Sequence, residues 1–103
     1  MISELTISGH HLELTPALDA HVREKFGKIQ KMFEIVTNMH ITLTVEKFMQ
    51  IAKAEINVAG DPNIMFAEAS TDDMYKSIDE IEHKILAQVS RYHDKIKDHR
   101  GHK

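Results

Sequence analysis

The chain predicts an α+β domain, a two-layer sandwich of order β-α-β-β-β-α in which a four-stranded mixed sheet carries both helices on one face. Three observations carry this. Two stretches repeat apolar residues every three or four positions, four shorter ones favour alternation, and the second strand follows the first only after a helix. A strand, helix, strand unit crosses over right-handedly and sets its two strands parallel, while the later strands close by hairpins.

Residues 2–8 form the first strand, alternating around Leu5 and Ile7 and ending at Gly9. Thr15 and Pro16 then open a helix, the threonine as N-cap and the proline in the first turn, where its missing N–H costs nothing. Leu18, Val22, Phe26, Ile29, Phe33 and Val36 follow at steps of three and four, one face of an amphipathic helix. Gly27 falls opposite that stripe and costs the helix about 1 kcal/mol relative to alanine. Residues 38–47 alternate Met39, Ile41, Leu43 and Val45 with polar neighbours, the mark of a half-buried strand. Residues 48–50 make the hairpin connection and residues 51–59 the third strand. Gly60, Asp61, Pro62 and Asn63 mark a turn before the fourth strand, residues 64–70.

The second helix opens near Thr71 and Asp72, either of which can cap it, with Asp72 and Asp73 at the positive end of its dipole. Met74, Ile78, Ile81, Ile85, Val89, Tyr92 and Ile96 then draw one apolar stripe, and the helix is expected to end near Lys97. Residues 1–97 read as one domain and residues 98–103 as a short flexible tail. Both helices cover the same side of the sheet, because each has one apolar stripe and a two-layer stack buries all three surfaces.

Composition narrows the function. The 103 residues are 42% hydrophobic and 28% charged, without cysteine. That excludes a disulfide framework, a thiolate zinc site and a cysteine nucleophile. No apolar run reaches the roughly 20 residues of a membrane span, and no signal peptide is visible, so a cytoplasmic domain without membrane partner or cofactor is expected. No phosphate-binding glycine loop, GxSxG or HExxH is present, and the acids at the start of the second helix are explained by capping and solvation. No catalytic residue, metal ligand or small-molecule substrate is predicted. His10 with His11 and His99 with His102 could each chelate, but no third and fourth ligands accompany either pair. A small enzyme using the histidines or the acidic helix start is the weakest of the functional readings.

The formal charge of −3 hides a partition. Residues 23–32 carry +3 and residues 84–103 carry +4, while residues 33–83 carry −7. On the second helix Lys84, Arg91 and Lys95 point within about 40° of one another, beside the apolar stripe and spread over about 16 Å. His21, Lys25 and Lys28 line one flank of the first helix, with Lys31 continuing the curve. Cations beside an apolar stripe commonly snorkel and solubilise a helix. Few carboxylates share these flanks, though, and a basic face can meet RNA whatever the net charge. His93 and Tyr92 sit among the basic positions, where a ring could stack on a base, although Tyr92 also falls on the core stripe.

The run DMYKSIDEIEHKILAQVSRYHDKIK, residues 73–97, resembles the signature helix of the ribosome hibernation promoting factors, also called ribosome-associated inhibitors or sigma-54 modulation proteins. ISGHHLELTPALDAHVREKFGKI is similar to the family's opening strand and lysine-bearing helix, and VEKF fits after the second strand. The resemblance implies a fold similar to a double-stranded RNA-binding domain. It also implies binding to the small ribosomal subunit, against 16S-type rRNA in the channel of messenger and transfer RNA, which silences idle ribosomes in stationary phase or stress. Carried over by position, Lys25, Lys28, Lys84, Arg91, Lys95 and Lys97 match the family's RNA-contacting surface, and Asp73, Met74 and Tyr75 its helix-start motif, read as structural. The length looks like that of the short form, which is implied to favour ribosome dimers together with a separate ribosome modulation factor. The alternative is a free-standing module for double-stranded RNA.

Overall fold

A computed structural model describes residues 4–101, with side chains to residue 96. The elements run β1 (Glu4–His10), α1 (Pro16–Met32), β2 (Val36–Glu46), β3 (Met49–Val58), β4 (Met65–Thr71) and α2 (Met74–Gly101). The sheet order is β1-β2-β3-β4, with β1 parallel to β2 and the other pairs antiparallel. This is the predicted α+β architecture. In it α1 packs on β1 and β2, α2 on β3 and β4, and the helices touch along their length.

The core lies between the layers. Val22, Phe26 and Ile29 of α1 and Ile78, Ile81, Ile85 and Val89 of α2 close over Met39, Ile41 and Leu43 of β2 and the small side chains of β3 and β4. Ala52, Ala54, Ala67 and Ala69 leave room for the bulky stripe of α2 to settle on that half of the sheet. Thr15 caps α1 as expected, its hydroxyl accepting from the Leu18 N–H at 3.2 Å.

Several boundaries differ from the sequence pattern. β1 runs two residues past the predicted end, to His10, and takes in Gly9, where a Cβ would meet the Leu12 carbonyl oxygen at 3.3 Å; the predicted start at residues 2 and 3 lies outside the described residues. α1 stops at Met32: Phe33 takes an extended conformation, its N–H still bonded to the Ile29 carbonyl at 2.9 Å, and Val36 opens β2. The last member of the helical stripe is therefore a strand residue in the same core. The β2–β3 connection is two residues, Lys47 and Phe48, with Lys47 at φ 56°, and so tighter than the three-residue connection expected. A single left-handed residue at the first loop position suits the twist of a hairpin. Gly60, at φ 86°, and Asp61, whose carboxylate accepts from the Asn63 N–H at 2.9 Å, build the predicted turn before β4.

Asp73, rather than Thr71 or Asp72, caps α2, its carboxylate accepting from the Tyr75 N–H at 3.0 Å. Thr71 secures the entry instead: its hydroxyl donates to the Asp73 carbonyl at 2.7 Å and accepts from the Asp73 N–H at 3.1 Å. α2 continues to Gly101, four residues past the predicted end, so the backbone of residues 98–101 is helical rather than a tail.

Candidate RNA-binding surface

Five of the six predicted contact residues have described side chains, and these fall into two groups that α2 separates. On α1, Lys25 faces α2, and its Nζ lies 3.8 Å from Asp79 Oδ1, which also binds His21 Nε2 at 2.8 Å. His21 in turn meets the Tyr75 ring edge-on, with centroids 5.0 Å apart. This flank thus includes a seam between the helices, where Asp79 offsets the charge of Lys25. Lys28, one turn on, is exposed and has no carboxylate within ion-pair distance among the described residues.

Lys84, Arg91 and Lys95 occupy the other flank of α2. At 100° per residue Lys84 stands about 140° around the helix from Asp79, so it projects over the free edge of β4 instead of toward α1. Its ammonium donates to the Glu68 carbonyl at 2.8 Å, and Gln88, one turn on, donates to the Phe66 carbonyl at 2.8 Å. Those carbonyls belong to the outer edge of the sheet, and the two side chains cover it. Arg91 and Lys95 continue the row, both exposed, without a carboxylate partner among the described residues. The Lys97 side chain lies outside the described residues. The two flanks therefore present separate faces: a partly neutralised one at the helix seam and an open one at Arg91 and Lys95.

Two positions read as possible ring contacts serve the fold. His93 meets Phe33 edge-on at 5.2 Å between centroids, tying α2 to the end of α1. Tyr92 is half-buried, and its hydroxyl donates to the Ala59 carbonyl at 3.4 Å. Sequence reasoning misses Ser77, fully buried, whose hydroxyl donates to the Gln50 carbonyl at 2.6 Å and meets the Thr71 hydroxyl at 2.7 Å. It also misses the edge-covering role of Lys84 and Gln88, because a β4 edge is visible only once strand order is known. Among the described residues no three His, Asp or Glu side chains converge as they would to hold a metal ion. His99 and His102 fall outside the described side chains.

Fold and surface together define a small α+β domain with charged flanks on its helix layer. The chain belongs to the family described as Sigma 54 modulation protein / S30EA ribosomal protein, which matches residues 5–97. It is 38% identical over 96 residues to the ribosome hibernation promoting factor of Klebsiella oxytoca, a match spanning 93% of this chain and 99% of that protein. The counterpart in Escherichia coli K12 is 33% identical with the same coverage. A ribosomal subunit interface protein from Coxiella burnetii has the same architecture at TM-score 0.80 and 30% identity, over 88% of this chain and 98% of that one. The N-terminal domain of Protein Y from Thermus thermophilus, at TM-score 0.77 and 20% identity over 88% and 99% of the two chains, shares the fold.

Proposed function

We propose that the protein is a ribosome hibernation factor of the cytoplasm. It binds the small ribosomal subunit in the channel of messenger and transfer RNA and blocks translation in stationary phase or stress. Acting with a ribosome modulation factor, it favours ribosome dimers. The names of its relatives, hibernation promoting factor and subunit interface protein, support this reading. The observation that carries it is the outer flank of α2, where Arg91 and Lys95 stand exposed beyond a covered sheet edge.

The mechanism is occlusion. A rigid sandwich places cations along one helix flank against phosphates and reads the shape of folded RNA rather than its sequence. Arg91 offers a planar fork suited to two phosphate oxygens, and Lys95 a point charge one turn on. Lys84 reaches the same flank while holding the β4 edge; Lys28 serves a separate contact on the α1 side, and Lys25 sits behind it at the seam. Lys97 joins this set by the family resemblance alone.

Co-sedimentation with purified small ribosomal subunits tests the reading. The double variant Arg91→Ala, Lys95→Ala keeps the fold, since neither side chain has a partner among the described residues, and loses subunit association at physiological salt. Wild-type retention by the double variant refutes this surface. Competition separates the free-standing duplex binder: a hibernation factor is displaced by transfer RNA on the subunit and ignores generic double-stranded RNA.

A further inference from the structure

Among the described residues nothing covers the side of the sheet away from the helices. Every second residue of the four strands faces it, and four carboxylates stand there, Glu4, Glu46, Glu55 and Glu68, against one ammonium, Lys53. That single face holds the −3 that is the formal charge of the entire chain, leaving the helix layer and turns neutral in sum. Lys53 and Glu68 are opposite in register, yet none of these five groups makes an ion pair among the described residues.

The face is not uniformly polar. Phe66 is 48% exposed and Ile64 56% exposed, both large apolar side chains on this side near β4. A shallow depression lies on this face, its lining including Glu4, Thr6, His40, Glu55, Asn57 and Ile64. Glu4, Glu55 and Ile64 in this depression, with Phe66 opposite Glu55 in register, complement a chain in which basic and apolar residues alternate.

We propose that this open face docks a Lys/Arg-rich protein segment. Its apolar side chains seat on Phe66 and Ile64, and its guanidinium or ammonium groups meet Glu55 and Glu4, where arginine can engage a carboxylate through two parallel hydrogen bonds. The same carboxylates repel phosphates, so RNA is disfavoured on this side. The proposal goes beyond ribosome binding through α2, adding a protein contact on the opposite side of the wedge, and it does not need that reading to be correct.

The test is a titration of the isotope-labelled protein, followed by NMR, with a synthetic peptide of three Arg-Leu repeats and a control of three Arg-Gly repeats. The expected result is saturable shifts at Thr6, His40, Glu55 and Phe66, with the control binding at least fivefold more weakly. Glu55→Lys combined with Glu68→Lys reduces affinity at least tenfold, and Phe66→Ser, which leaves the charge unchanged, also reduces it. Shifts confined to the acidic start of α2, no binding, equal binding of the control, or indifference to Phe66→Ser overturns the proposal. A photoreactive p-benzoylphenylalanine in place of Phe66 supplies a second readout on purified small subunits. Cross-linking to a basic ribosomal protein segment supports the proposal; cross-linking to RNA sinks it. Loss of subunit association in the α2 double variant alone bears on the earlier reading and leaves the peptide result standing.

Discussion

Ser77 does more for the fold than its residue type suggests. It is fully buried, and its hydroxyl joins the first turn of α2 to β3 through the Gln50 carbonyl and to Thr71 at the end of β4. No buried side-chain polar atom is left without a partner among the described residues, so each such bond replaces water that has been lost. Ser77→Ala removes the donor to the Gln50 carbonyl, while Thr71 keeps its bonds to Asp73, and should lower unfolding free energy by about 1 kcal/mol, measured by urea denaturation. A loss below the error of the fit would show that water replaces the hydroxyl. Nothing in the sequence marks this residue: one serine near a helix start has the same appearance whether it caps, solvates or clamps. The charge of Lys25 was legible as a flank position, but its partner was not, because Asp79 lies 54 positions away in the chain and meets it only after the helices pack. Gly27 matches its sequence reading, since a Cβ there would meet nothing within 4 Å.

At the scale of elements, strand and helix types were legible throughout and their ends were not. The stripe running from Leu18 to Val36 passes from α1 into β2 without a break, because Val36 is buried in the same core by a different backbone. No glycine or proline marks that stop, so periodicity alone overruns it. The β4 edge is the clearest case of tertiary context. Lys84 and Gln88 are spaced one turn apart and answer carbonyls two residues apart on the strand, Glu68 and Phe66. Both side chains are thereby diverted from solvent to a protective task that natural sheets need at their margins. Lys84→Ala combined with Gln88→Ala should uncover this edge and cost about 1 kcal/mol or more of stability. Concentration-dependent self-association in size-exclusion chromatography should accompany it. A variant that stays monomeric and as stable as wild type would assign both side chains wholly to the solvent-facing flank.

For the molecule as a whole, the negative formal charge and the proposed phosphate-binding role are reconciled by segregation. The carboxylates of the open sheet face and the cations of the outer α2 flank lie on different sides of the sandwich, and at physiological ionic strength charges separated by more than about 8 Å are largely screened from one another. Subunit affinity should therefore fall steeply with salt, by about 0.7 to 0.9 in logarithmic slope for each phosphate neutralised. Arg91→Ala and Lys95→Ala should each flatten that slope by about one contact, whereas Glu55→Lys should leave it unchanged; titration of binding from low to high salt reads all three. A slope unmoved by Arg91→Ala would remove that side chain from the phosphate count. The longest element then acquires its meaning. α2 spans about 42 Å at 1.5 Å per residue, its last fully buried residue among the described side chains is Val89, and the domain is 52 Å long but only 24 by 20 Å across. Tyr92 and His93 still hold the rod to Ala59 and Phe33, so adding or deleting one turn past His93 moves the charge that follows by about 5.4 Å while the packed layers stay as they were. Reach and robustness are independent dials in this architecture.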